Sequence, residues 1–237
     1  MSSKALVTGA SRGIGAATSL KLAQRGYDVA LNFRSKAPRA EKVAAEIAEL
    51  GRAALLVQAD ITNESEVAAM MDRIRREFGH LDALILNASG GLEAGKADDY
   101  AMTLNLTAQM HVAQSAAKLL RPKARVVFVT SHWAHFYGQK PVMPVYEPVA
   151  KSKRAGEDAL REYASEELAK NKISLVVVSG DAIEGTITPK LLERKSRNKL
   201  ESRALPTVDE FAEAIAAATV DAQLADGQTI FVGSTEW

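Results

Sequence analysis

Short apolar runs without polar alternation constrain this chain more than any other feature of its sequence. Val126-Val127-Phe128-Val129 and Leu175-Val176-Val177-Val178 are unbroken. A strand with one wet face alternates apolar and polar residues, so unbroken runs belong to strands covered on both faces. Residues 5–8, 29–33, 53–59, 81–86, 125–130, 173–178 and 229–232 read as strands, most bounded by Gly, Asn, Asp or Ser. Helical patterns lie between them. One runs over 15–25 and closes at Gly26; another over 40–50 has Val43, Ile47 and Leu50 on one stripe and Gly51 as its stop. A third starts at Asn63-Glu64-Ser65-Glu66, carries Val67, Met70, Met71, Ile74 and Phe78 at helical spacing, and ends at Gly79. Further helices are expected over 100–120, 153–169 and 208–218. Repeated β-α units imply parallel strands joined by right-handed crossovers. The expected fold is a doubly wound α/β sheet, mainly parallel and seven-stranded, with helices on both faces. No repeat, linker or composition break divides the chain, so residues 1–237 read as one domain. Residues 186–205, rich in Lys, Arg and Ser, read either as a solvated loop or as a lid over a substrate.

Composition removes several classes of function. Thirty Lys and Arg against twenty-nine Asp and Glu leave a net charge of +1, too little to hold a nucleic acid by bulk charge. There is no cysteine, which excludes disulfides, thiolate metal sites and cysteine nucleophiles. His111, His132 and His135 form no ligand-spaced cluster with nearby acids, so no metal is expected. No stretch approaches the ~18 apolar residues of a membrane span, and the apolar run before Gly9 is too short for a signal peptide. A cytoplasmic protein with no membrane partner is expected.

Thr8-Gly9-Ala10-Ser11-Arg12-Gly13-Ile14-Gly15 lies between the first strand and the first helix. Small residues there let the backbone approach a pyrophosphate, and the helix N-terminus offers free N–H groups and a positive dipole end. This Rossmann-like context, more than the glycines alone, predicts a dinucleotide site. An NAD site usually has an acid at the end of the second strand to bind the ribose hydroxyls. Here the segment is Asn32-Phe33-Arg34-Ser35-Lys36. A guanidinium can hold a 2′-phosphate through paired charge-assisted bonds, and Arg12 could add a second cation. NADP(H) is therefore expected over NAD(H).

With further pieces in order, the chain resembles the short-chain dehydrogenase/reductase superfamily over nearly its whole length. The pieces are Thr8–Gly15, Asp60-Ile61, Asn87-Ala88-Ser89-Gly90, Asn105, Ser131 and Ser179-Gly180-Asp181-Ala182-Ile183. The resemblance implies that Gly9, Ser11, Arg12, Gly13, Ile14 and Gly15 hold the pyrophosphate. Asn32, Arg34 and Ser35 would bind the adenosine ribose end, and Asp60 and Ile61 would flank the adenine. Asn87, Ala88, Ser89 and Gly90 would line the cofactor; Gly180, Ile183 and Thr186 would meet its nicotinamide end. Asp181 stands where kin tend to have glycine.

Carbonyl reduction builds negative charge on oxygen, and a proton must arrive as the hydride does. The family uses a tyrosine and a lysine for this, usually as Tyr-x3-Lys. A free tyrosine has a pKa of ~10; a nearby ammonium and a cationic nicotinamide favour the phenolate and would bring it toward working pH. Here the segment is Tyr146-Glu147-Pro148-Val149-Ala150-Lys151-Ser152-Lys153. Lys153 opens the long helical pattern expected after the family's lysine, so Tyr146 pairs with Lys153. That Tyr-x6-Lys spacing is similar to the divergent NADPH-dependent enoyl-acyl-carrier-protein reductases, and the chain also resembles the related 3-oxoacyl-acyl-carrier-protein reductases of fatty acid metabolism. Lys153 would also hold the nicotinamide ribose. Tyr137 would be a second tyrosine near the thioester. Ser131 occupies the ketoreductases' catalytic position, or caps a strand end; Asn105 holds a relay water, or bridges strands. The expected activity is reduction of an enoyl or β-keto thioester. Alternatives are a ketoreductase or alcohol dehydrogenase for a small carbonyl compound, and a non-catalytic NADP(H)-binding sensor. A homodimer or homotetramer follows from the resemblance alone.

Overall fold

The structure is a computed structural model and describes residues 2–93, 95, 97–184 and 205–236. Seven strands form one sheet in the order β3-β2-β1-β4-β5-β6-β7. They are β1 (Ser3–Val7), β2 (Tyr27–Phe33), β3 (Ala54–Gln58), β4 (Leu81–Leu86), β5 (Leu120–Ser131), β6 (Ser174–Gly180) and β7 (Thr229–Val232). Every pairing is parallel. The order runs outward from β1 to β3, then restarts beside β1 at β4. That reversal leaves a crevice beyond the carboxyl ends of β1 and β4, where open α/β sheets bind ligands.

The unbroken apolar runs are accounted for by packing on both faces. Val126 and Phe128 of β5, with Leu175 and Val177 of β6, join one cluster against Val67, Ile74, Val112 and Leu160. Val127, Val129, Val176 and Val178 join the other, against Leu22, Ile47, Phe211 and Ile215. Alternate residues of each strand point to opposite faces, and here both faces are apolar. The helices are α1 (Gly13–Gln24), α2 (Ala37–Glu49), α3 (Glu64–Phe78), α4 (Tyr100–Met102), α5 (Ala108–Ala117), α6 (His132–His135), α7 (Glu147–Tyr163) and α8 (Val208–Val220). Local chemistry sets their ends. Asn63 accepts the Ser65 and Glu66 N–H groups at the start of α3, and Gly79 closes it at φ 77°.

Three departures from the expected elements bear on the site. The helix expected over 100–120 is divided by a π-helical turn, Thr103–Thr107, which contains Asn105. Helix α7 begins at Glu147, not Lys153, because Pro148 fits the first turn, where no N–H is needed. Helix α6 was not expected: four residues are too few to show a period. Helix α7 also passes very close to the π-turn. A Cβ on Gly156 would stand 2.1 Å from the Asn105 carbonyl oxygen, so only glycine permits this approach. Among the described residues no helix is long and apolar enough to cross a membrane.

Candidate active site

A cleft of about 770 Å³ opens at the β1/β4 reversal. Its lining contains Gly9, Ser11, Arg12, Gly13, Ile14, Gly15, Asn32, Arg34, Ser35, Asp60, Ile61, Asn87, Ala88 and Ser89. The expected adenosine and pyrophosphate residues therefore share one surface. The glycine turn is tight against its neighbours: a Cβ on Gly15 would stand 2.4 Å from the Gly9 carbonyl oxygen and 2.6 Å from Asn87 Nδ2. Gly13, at φ +54°, meets no atom within 4 Å of such a Cβ, leaving room for a phosphate. Arg12 precedes α1 without capping it by its side chain, so the first N–H groups of α1 remain available to an anion. These features fit the diphosphate of a dinucleotide.

Two amides and a threonine hold this turn. Asn32 is buried; its Nδ2 donates to the Val57 and Ala59 carbonyls at 3.3 and 3.1 Å, and its Oδ1 accepts the Gly9 N–H at 3.4 Å. Asn87 Nδ2 donates to the Thr8 carbonyl at 2.9 Å. Thr8 Oγ1 accepts the N–H groups of Asn87 and Ala88. Asn32 and Asn87 thus brace the cleft from behind as well as lining it. Thr8 was missed as a brace, although it opens the motif. Arg39 was also missed; it lines the cleft with Arg12, Arg34 and Lys36. Such a cationic rim fits a 2′-phosphate.

Tyr146, Ser131 and Lys153 lie outside the residues lining that volume. The Tyr146 hydroxyl is 3.1 Å from Ser131 Oγ, and either can donate. Tyr146 immediately precedes α7 and Lys153 is seven positions further, two helical turns along nearly the same face. Both are buried, whereas Lys151 is exposed. Burial pushes the Tyr146 hydroxyl above its ordinary value, opposed by the Ser131 hydrogen bond. The lowering expected from a neighbouring ammonium is not found: burial is the larger cause and the Ser131 hydrogen bond the one that opposes it. A phenol held this way stays protonated and can act as a donor. Burial lowers the Lys153 ammonium to about 8, with Glu157 opposing.

Asn105 Nδ2 donates to the Gly90 carbonyl at 2.9 Å and to Ser152 Oγ at 3.0 Å. The side chain thus bridges the turn after β4 to α7, one residue before Lys153. Ser131 also accepts the Ala134 N–H at 3.3 Å, capping α6. Tyr137 packs against the apolar cluster that contains Tyr146, while its hydroxyl donates to Glu147 Oε1 at 3.2 Å. Gly180 lies under Phe211, whose ring would stand 2.8 Å from a Cβ there, and Ile183 is buried nearby. Thr186 lies outside the described residues, as does most of the expected loop or lid.

A buried carboxylate supports the lysine's helix. Glu157 is fully buried; His135 Nδ1 lies 2.8 Å from its Oε1, and Arg161 Nε donates to the same oxygen at 3.0 Å. Despite burial, these two partners hold the Glu157 carboxyl below its ordinary value. Arg161 continues to the Gly227 carbonyl and Thr229 Oγ1 beside β7.

Fold and cleft together define an α/β oxidoreductase built to hold a nicotinamide dinucleotide. The chain belongs to the short-chain dehydrogenase family: the model described as short chain dehydrogenase matches residues 3–196. A 1-cyclohexenylcarbonyl-CoA reductase of Streptomyces collinus is 31% identical over 241 residues, covering 96% of this chain and 84% of that protein. A hydroxynaphthalene reductase-like protein of Metarhizium robertsii is 38% identical over 168 residues, covering 68% of this chain; the match spans 61% of the relative's length. A short chain dehydrogenase from Burkholderia cenocepacia in complex with NADP superposes with a TM-score of 0.83 at 29% identity, covering 97% of this chain and 96% of that one.

Proposed function

We propose that the protein is an NADP(H)-dependent reductase of a conjugated enoyl thioester. The observation that carries the reductase chemistry, for either thioester, is the buried Tyr146 hydroxyl, 3.1 Å from Ser131 Oγ, with buried Lys153 two turns along the same helix. Likeness to 1-cyclohexenylcarbonyl-CoA reductase over 96% of the chain supports an enoyl thioester. The cationic rim of Arg12, Arg34, Lys36 and Arg39 supports NADP(H).

NADPH, when bound, supplies a hydride for the β-carbon. The chain's own residues manage the charge that follows. Negative charge develops on the thioester oxygen, where the Tyr146 hydroxyl donates a hydrogen bond and then its proton; the enol so formed takes a proton at its α-carbon as its hydroxyl gives one up, and Tyr146 is reprotonated from water. Ser131, within hydrogen-bond distance of that hydroxyl, fixes its direction. Lys153 holds the nicotinamide ribose and keeps a positive charge near the phenol, so that proton release from Tyr146 is favoured in the transition state. Asn105 and Ser152 hold α7 against the Gly90 turn and so set the position of Lys153. Gly9 to Gly15 cradle the diphosphate; Asp60 and Ile61 flank the adenine, and Ile183 meets the nicotinamide end. A homo-oligomeric assembly accompanies this function.

A second reading, reduction of a β-keto thioester or small ketone, is favoured by one observation: Ser131 stands beside Tyr146 as a carbonyl-binding serine would. Both readings are tested by mixing the protein with NADPH and either crotonyl-CoA or acetoacetyl-CoA and following the nicotinamide absorbance. Consumption with crotonyl-CoA supports the enoyl reading. Consumption with acetoacetyl-CoA alone replaces it with the keto reading. Binding of NADPH without turnover on a broad panel defeats both and leaves a sensor.

A further inference from the structure

Tyr100, the first residue of α4, lines the cleft, and none of the preceding roles uses it. Its hydroxyl accepts a hydrogen bond from Arg34 Nη1 at 2.8 Å, joining residues 66 positions apart. The Arg34 side chain is otherwise open, 48% exposed. Two carboxylates lie near. Asp60 Oδ2 is 3.9 Å from the same nitrogen, while Asp60 Oδ1 is held by the Thr62 N–H and hydroxyl. Glu93 also lines the cleft and acts on Arg34 through its charge; its carboxylate accepts the Gly91 N–H at 2.6 Å.

An exposed arginine loses rotamer freedom when it is fixed on a ligand. A partner that fixes it beforehand removes part of that cost from binding. The partner's chemistry matters. A carboxylate at hydrogen-bond distance would orient the guanidinium and also cancel the charge a phosphate needs. A phenol oxygen orients it without a formal charge. One Nη1 hydrogen given to Tyr100 leaves four donors, including the Nε–Nη2 edge that matches two phosphate oxygens.

We infer that Tyr100 is a positioning residue for the 2′-phosphate of NADP(H), holding the Arg34 guanidinium ready for that group and so setting the preference over NAD(H). The inference rests on the NADP(H) reading above. Tyr100 packs against the core on its ring, and Tyr100→Phe keeps that packing while removing the oxygen.

The test is equilibrium titration of NADPH, NADH, 2′,5′-ADP and 5′-ADP into the wild-type protein, Tyr100→Phe, Arg34→Ala and the double variant. Tyr100→Phe is expected to weaken NADPH and 2′,5′-ADP about five- to tenfold and to leave NADH and 5′-ADP unchanged. Arg34→Ala should weaken the phosphorylated pair further, and the double variant should match Arg34→Ala alone, because Tyr100 acts only through Arg34. Equal weakening of phosphorylated and unphosphorylated ligands by Tyr100→Phe would overturn the inference, as would additive losses in the double variant. If Arg34→Ala changes the NADPH-to-NADH ratio and Tyr100→Phe does not, the inference alone fails. If Arg34→Ala leaves that ratio unchanged, the NADP(H) reading fails with it.

Discussion

Replacing Lys153 with methionine should make the ligand-free protein more stable while removing its activity. Lys153 is 8% exposed, and burial takes its ammonium from 10.5 to about 8. At about 1.4 kcal/mol per pH unit, carrying this charge in the folded state costs roughly 3 kcal/mol. Methionine has a similar stem and no charge, so at pH 7 most of that cost disappears. Glu157 is not orphaned by the change, since His135 and Arg161 still hold it. For a chain of this size 1 kcal/mol moves Tm by about 2–4 °C, so the variant should melt about 6–12 °C higher. The pH dependence gives the sharper check. The folded-state value lies below the unfolded one, so the penalty is full below pH 8, where both states are protonated. It falls through the interval up to 10.5, reaching about half near pH 9. Urea denaturation of both proteins from pH 6.5 to 9.5, without nucleotide, measures the gap. A variant no more stable than wild type at pH 7, or a gap that does not narrow with pH, would refute the assignment of Lys153 as a buried, strained charge.

Two further substitutions probe the supports of the same helix. An exposed helical Gly→Ala change ordinarily stabilises by ~1 kcal/mol. Gly156→Ala should instead destabilise by roughly 2–3 kcal/mol in thermal melts, since its Cβ would stand 2.1 Å from the Asn105 carbonyl oxygen. Glu157→Gln should cost roughly 3 kcal/mol at pH 7, by leaving Arg161 and His135 without their buried carboxylate. Because its partners hold the Glu157 carboxyl below its ordinary 4.5, its contribution is full above that value. The difference between the two proteins in denaturation should shrink as pH falls below it.

Most of the sheet was legible because its strands are apolar on both faces and lie at the turns of a βα repeat. The cleft was legible for a related reason: the glycine turn is local, eight consecutive residues that run from the end of a strand into the first turn of a helix. The pairing of Tyr146 with Lys153 came from helix continuity; the burial of Lys153 beside exposed Lys151 was not legible. What could not be read is non-local or too short. Helix α6 offers only four residues, and nothing in Thr103–Thr107 signals a π-turn. Pro148 marks a helix start only to an observer who knows the helix begins there. The Arg34–Tyr100 bond and the His135–Glu157 pair join residues 66 and 22 positions apart, and each partner alone reads as an ordinary polar residue. The rise of the Tyr146 value in the protein without nucleotide was not legible, because a sequence shows which charges are near in the chain but not how far a phenol is buried.

The most direct test is the Tyr146→Phe variant, assayed for NADPH oxidation with crotonyl-CoA and titrated in parallel with NADPH alone. Loss of the hydroxyl should lower kcat by about a hundred- to ten-thousandfold, the range for a general acid, with NADPH affinity within about threefold of wild type. Turnover within about tenfold of wild type would show that another group delivers the proton, and Tyr146 would leave the mechanism.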